Sequence, residues 1–167
     1  MMQKFQKTRA VFLDRDGVIN RETGGYVYKP EEFELNEGIF EALKLFRDRG
    51  FILVIITNQG GIGQNLYTHR HVEKLNEILK TEFSEQGIEI AAIYYCPHHP
   101  VSGKCLCRKP QSLLIEKAIA RFNIDPSLSF MIGDNERDIK AAEKAGVKGV
   151  LIKANDSLMK HEDIIRI

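Results

Sequence analysis

Two carboxylates separated by a single residue follow an apolar run: Phe12 to Asn20 reads FLDRDGVIN, with Asp14 and Asp16 inside it. In extended backbone, residues two apart point the same way, so these carboxylates are expected to crowd one another. Like charges that close disfavour double ionisation unless a divalent cation shares the spot. A polar turn after a strand would also use Asp and Gly. Other reactive groups along the chain favour the first reading. Thr57-Asn58-Gln59-Gly60-Gly61 follows a second apolar run, Arg108-Lys109-Pro110 precedes a helical stretch, and Gly133-Asp134 closes a further run with Asp138 four residues on. Four carboxylates, a hydroxyl, a glycine-rich turn and an ammonium are what phosphoryl transfer requires: a nucleophile, a metal to neutralise developing charge, and donors for the equatorial oxygens. Magnesium suits a site with one or two carboxylates plus water and substrate phosphate, which Asp14 and Asp134 would supply. Asp14, held ionised by the metal and Lys109, would attack phosphorus, and Asp16 would protonate the leaving oxygen and then deprotonate water. Thr57 and Lys109, with Asn58 and Arg108 beside them, are the candidate phosphate and substrate ligands.

The stretch YYCPHHPVSGKCLCRKP holds all three cysteines, Cys96, Cys105 and Cys107, together with His98 and His99. A C-x-H pair and a C-x-C pair offer three thiolates and an imidazole, a closed tetrahedral set typical of structural zinc. His99 is an alternative fourth ligand to His98. A redox pair of Cys105 and Cys107, or three buried thiols, are the competing readings. Bound zinc would pin a long loop just before Arg108 and Lys109.

These residues need a scaffold, and the hydrophobic pattern supplies one. Short β-rich runs at Ala10 to Asp14, Phe51 to Ile56, Ile88 to Tyr95, Ser129 to Asp134 and Val147 to Ile152 predict five strands. Between them, Ile39-Leu43-Phe46, Val72-Leu75-Leu79, Ile115-Ala118-Ile119-Phe122 and Ile139-Ala142 recur at helical spacing, with Gly50, Gly87 and Gly146 suited to end three of the four helices. Alternation of apolar strands with helices predicts an α/β fold, a doubly wound, mostly parallel sheet with helices on both faces. Ligands in such folds bind beyond the carboxyl ends of the strands, where the stretches Gly17 to Glu37 and Cys96 to Pro110 should overhang them. Asn20, Tyr26, His99 and Arg108 are the candidates there for sugar or second-phosphate contacts.

At 167 residues and 43% hydrophobic, one domain spanning 1–167 is expected, with no insertion large enough for a separate cap domain. Lys plus Arg is 24 against 23 acidic residues, so no global field recruits nucleic acid or anionic membrane. MMQKFQKTR has no apolar leader core and no run approaches the ~20 residues of a spanning helix, so a cytoplasmic protein, expected to be a monomer, fits.

FLDRDGVIN, the Thr of IITNQ, the Lys of RKP and MIGDNERD resemble, in this order, the four motifs of the haloacid dehalogenase superfamily of phosphohydrolases. The match runs from about Ala10 to Ile152. The resemblance implies Asp14 as nucleophile and Asp16 as acid/base, with Thr57 and Lys109 on the phosphate. It also implies Asp14, Asp134 and the Asp16 backbone carbonyl on magnesium, supported by Asp138. CPHHP followed by CxCRKP looks like the zinc-bearing branch that contains heptose 1,7-bisphosphate 7-phosphatases and histidinol-phosphate phosphatases. GGYVYKPEEFELNEG resembles the heptose enzymes, which implies a role in activated heptose for bacterial cell-surface glycans. The short stretch from His98 to Cys105 is closer to the histidinol-phosphate type, and TNQGGIGQN lacks the Ala-Arg-Gly often found in the heptose branch. A small phosphorylated sugar is the expected substrate, with an amino-alcohol phosphate as the alternative. A DNA 3′-phosphatase and a zinc-pinned module without turnover are more distant readings.

Overall fold

The computed structural model describes residues 7–167. Residues 1–6, most of the stretch read above as lacking a leader, lie outside the described residues. Five strands form one sheet: β1 (Arg9–Leu13), β2 (Phe51–Asn58), β3 (Ile90–Cys96), β4 (Phe130–Gly133) and β5 (Lys148–Leu151). Their order is β3-β2-β1-β4-β5, and every pairing is parallel. The four expected helices are α1 (Ile39–Asp48), α2 (His69–Glu85), α3 (Leu113–Phe122) and α4 (Glu136–Lys144), followed by a short α5 (Glu162–Ile165).

Side-chain alternation explains the layers. Val11, Leu13, Leu53 and Ile55 face one side of the sheet and pack with Ile39, Leu43 and Phe46 of α1 and Leu79 and Phe83 of α2. Ala10, Phe12, Val54 and Ile56 face the other, against Leu114, Ile115 and Ala118 of α3 and Ala141 and Ala142 of α4. Helices therefore cover both faces, as the apolar strands require. The chain leaves the sheet centre in opposite directions from β1 and β4, which are neighbours, so a crevice opens beyond their carboxyl ends. Among the described residues no helix is long and apolar enough to cross a membrane.

Each expected strand shifts by one or two residues at one or both ends. β2 runs two residues past Ile56, so Thr57 and Asn58 belong to the strand and not to the turn after it. β3 starts at Ile90, leaving Ile88 to pack in the core ahead of the strand. α3 ends on Asn123 in the left-handed conformation, φ 50°, where α1, α2 and α4 use glycine.

Candidate active site

β1 stops at Leu13, and the Asp14 amide donates to the Ile132 carbonyl of β4 at 3.0 Å. This bond fixes the carboxylate at the fork between the two halves of the sheet. Asp14 is 4% exposed, and its Oδ1 lies 2.8 Å from Nζ of Lys109, itself 1% exposed. The same ammonium sits 2.7 Å from Oδ1 of Asp138 and donates to the Ile56 carbonyl at 2.7 Å. Asp134 joins from the end of β4, and one carboxylate oxygen from each of Asp14, Asp134 and Asp138 falls within 4.8 Å of the others.

Two glycines allow this convergence. Gly17 adopts φ +88°, and a Cβ there would stand 2.1 Å from Asp134 Oδ2. A Cβ on Gly133 would lie 2.3 Å from that of Asp138. Asp138 is placed by local sequence as well: Asn135 caps α4, and Asp138, three residues on, accepts from the Asn135 amide at 3.1 Å.

The electrostatics follow from burial and charge count. Burial pushes the Asp14 carboxyl up to about 7, with Asp138 adding to the rise and Lys109 opposing it. Burial followed by the Asp138 charge likewise raises Asp134. Burial works against the Lys109 ammonium, but Asp14 and Asp138 outweigh it and hold its pKa above the ordinary lysine value. Three carboxylates against one ammonium leave excess negative charge on hard oxygen donors. Such a set fits a small divalent cation such as magnesium.

Asp16 departs from expectation. The chain turns after Leu13, so the extended-strand argument that Asp14 and Asp16 crowd one spot does not hold, and Asp16 is outside the carboxylate cluster. Its Oδ1 accepts from Arg15 Nη2 at 2.9 Å and Asn20 Nδ2 at 2.9 Å, and its Oδ2 accepts from Gln59 Nε2 at 2.9 Å. Arg15 is 1% exposed and also donates to the Val27 carbonyl. Asn20, a candidate sugar contact on its sequence position, is instead fully buried, with its Nδ2 donating to Asp16 and to the Arg21 carbonyl.

A cleft of about 520 Å³ lies over these groups, lined by Asp14, Asp16, Thr57, Arg108 and Asp134, with Tyr26 and its flanking loop on one wall and Arg137 on another. The loop of Glu22 is clamped by Asn155, whose carboxamide accepts from the Glu22 amide and donates to the Glu22 carbonyl. Asn58 lines the cleft, but its carboxamide pairs with the Lys109 backbone, accepting at 3.0 Å and donating at 3.1 Å. Its side chain thus positions Lys109, with one Nδ2 hydrogen left over at the cleft wall. Arg108 donates to the His98 carbonyl and bridges the cysteine loop to the cleft. His99 is not a lining residue; its Nδ1 accepts from the Val101 amide. Gln59, Arg15, Tyr67 and Arg137 received no role from the sequence. Gln59 had a signal, because two residues after Thr57, just past the end of β2, extended backbone returns it to the same face.

The Cys96 to Cys107 loop brings four donor atoms together. Cys96 Sγ lies 3.7 Å from Cys105 Sγ and 3.0 Å from Cys107 Sγ, while Cys105 and Cys107 are 3.9 Å apart. His98 Nδ1 is 3.5 Å from Cys96 and 3.3 Å from Cys107. Tetrahedral zinc with ~2.3 Å bonds to sulfur needs sulfurs roughly 3.8 Å apart, which Cys105 meets toward both other sulfurs, while Cys96 and Cys107, at 3.0 Å, would have to spread. The geometry selects His98 over His99 as the fourth donor.

Comparison with known proteins agrees with this geometry. A family model described as HAD-hyrolase-like matches residues 106–163. The chain is 41% identical over 157 residues, 90% of its own length and 86% of the relative's, to a D-glycero-beta-D-manno-heptose-1,7-bisphosphate 7-phosphatase from Haemophilus ducreyi. It is 45% identical over 150 residues, covering 90% and 84%, to a D-glycero-alpha-D-manno-heptose-1,7-bisphosphate 7-phosphatase from Campylobacter jejuni. Among solved structures, a D,D-heptose 1.7-bisphosphate phosphatase from B. bronchiseptica complexed with magnesium and phosphate superposes with TM-score 0.83 at 27% identity, covering 93% of this chain and 88% of that one. Sheet order, clustered carboxylates and these relatives converge: the chain belongs to the HAD-like phosphatases, in the family of the D-glycero-D-manno-heptose-1,7-bisphosphate 7-phosphatases.

Proposed function

We propose that this chain is a magnesium-dependent phosphoric monoester hydrolase that removes the 7-phosphate of D-glycero-D-manno-heptose 1,7-bisphosphate through an aspartyl-phosphate on Asp14. The observation that carries it is the buried Asp14 to Lys109 to Asp138 ion triad, joined by Asp134, at the floor of an open polar cleft. Asp14, Asp134 and the Asp16 carbonyl would hold magnesium, which, when bound, neutralises charge on the phosphate. A magnesium and phosphate complex of a structural relative supports this assignment.

Asp14 attacks phosphorus, the bond from phosphorus to the sugar oxygen breaks, and that oxygen takes its proton from Asp16. Asp16 then removes a proton from water, whose oxygen bonds phosphorus as the Asp14 ester breaks, releasing inorganic phosphate. Thr57, with its hydroxyl oxygen accepting from Gln59, directs its own proton toward a phosphate oxygen. Arg108 and Arg137 flank the cleft as cations suited to the second phosphate. Relatives named for both anomers match at similar identity.

Cys96, His98, Cys105 and Cys107 form a closed zinc site in this reading, leaving no position for chemistry. The protein works in the cytoplasm as a monomer on a small substrate. Steady-state phosphate release from heptose 1,7-bisphosphate, histidinol phosphate and a 3′-phosphorylated oligonucleotide, each with magnesium, tests the proposal. The heptose substrate should give the highest kcat/KM; preference for either other phosphoester overturns the assignment, and no turnover on any makes the chain a binding module.

A further inference from the structure

Gln59 makes three bonds that use every polar atom of its side chain except lone-pair capacity. Nε2 donates to Asp16 Oδ2 at 2.9 Å and to Thr57 Oγ1 at 2.9 Å, and Oε1 accepts from the Tyr67 hydroxyl at 2.8 Å. Gln59, Thr57 and Tyr67 are 2%, 1% and 3% exposed, so water does not compete for these bonds. The Asp16 carboxylate fixes which end of the carboxamide faces the site, since a flipped amide would set the Gln59 oxygen against an oxygen that only accepts. Tyr67 is itself immobilised: its ring stacks on Tyr28 at 4.9 Å and meets Tyr26 edge-on at 5.6 Å. A Cβ on Gly61 would stand 2.1 Å from the Tyr67 ring, which is why a glycine lies beneath it.

We propose that Gln59, anchored by Tyr67, is a positioning residue that orients the Asp16 carboxyl group toward the leaving oxygen and the Thr57 hydroxyl toward the phosphate. This rests on the hydrolase reading above. Asp16 gives its proton to the departing sugar oxygen as the phosphorus bond to Asp14 forms. A misplaced Asp16 therefore slows departure of a poor, alkoxide-like leaving group far more than of an aryloxide that leaves without help. Thr57 touches the phosphate of either substrate, so its misplacement raises KM for both.

The test is first-turnover kinetics by rapid quench with magnesium, comparing heptose 1,7-bisphosphate with p-nitrophenyl phosphate. Gln59→Met should lower the saturating rate on the heptose substrate by roughly 10²-fold, the usual cost of a misplaced group. On the aryl ester the rate should fall by no more than about three-fold, because that group needs little acid assistance. Tyr67→Phe, which keeps the ring packing, should show the same split at smaller amplitude, and it decides the matter if Gln59→Met does not fold. Equal losses on both substrates, or unchanged kinetics in the variants, overturn the inference. Asp14→Asn is run alongside: turnover surviving in that variant sinks the hydrolase reading itself, whereas loss of turnover there with no leaving-group split sinks only the role of Gln59.

Discussion

Lys109 meets more negative charge than it can neutralise, and this imbalance governs the chemistry of the residues around it. Its ammonium touches Asp14, Asp138 and the Ile56 carbonyl, so it holds the proposed nucleophile in place beside the position proposed for phosphate. Removing it would leave two buried carboxylates without a cation. Lys109→Met should therefore cost about 3–5 kcal/mol of stability in metal-free protein, read by denaturant unfolding, with magnesium recovering part of the loss. The raised Asp14 pKa has a direct consequence for pH. Because its folded value, about 7, lies above its ordinary 3.8, the stability Asp14 contributes is complete below the ordinary value and is lost as pH rises through the folded one. Magnesium requires the anion, so its stabilising effect grows over the same interval. Thermal melts with added magnesium and without it should differ more in mildly alkaline than in mildly acidic buffer; an equal difference on both sides would contradict the assignment of Asp14 to the metal.

Each element delivers its site residue through a local rule, and those rules differ in how visible they are in sequence. The strands and four main helices are legible because Phe12, Val54 and Ile56 on one face, and Leu13, Leu53 and Ile55 on the other, alternate as sheet burial demands. Asp14, Thr57, Lys109, Asp134 and Asp138 are legible because each type stands at a strand end or helix start in a spacing tied to one chemistry. The orientation of Asp16, the burial of Arg15 and the turning of Asn58 onto Lys109 are not. They depend on pairings between residues as far as 51 positions apart, such as Asn58 with Lys109, which no local period encodes. Gly17 shows the same limit: its glycine is visible, but the approach of Asp134 to 2.1 Å of its missing Cβ is not. Gly17→Ala should lower magnesium affinity at least roughly tenfold, as loss of a ligand's support does, read by magnesium titration of activity. For the cysteine loop, metal analysis should find one zinc per chain. Cys107→Ser should lose it and lower both melting temperature and kcat while leaving magnesium affinity nearly unchanged; retention of zinc would remove the proposed ligand set.

At the scale of the molecule, the reversal of strand order between β1 and β4 sets everything else in place. It opens the crevice into which Asp14 and Asp134 emerge from adjacent strands, and it leaves the loops around Tyr26 and Arg108 to flank what enters. Those loops and Arg137 at the start of α4 form the cleft walls, and on the proposed function selectivity falls to them. Chemistry and selectivity are thus divided, the first built on rigid strand ends and the second on connecting segments. The claim that joins them is phosphoryl transfer from a heptose bisphosphate to Asp14, and it is tested most directly by chemical capture of the covalent enzyme. Protein mixed with magnesium and heptose 1,7-bisphosphate is quenched in acid and reduced with borohydride, and its peptides are sequenced by mass spectrometry. The account predicts homoserine at position 14 and heptose 1-phosphate as the sugar product; turnover with Asp14 unmodified, or reduction at a different carboxylate, would contradict it.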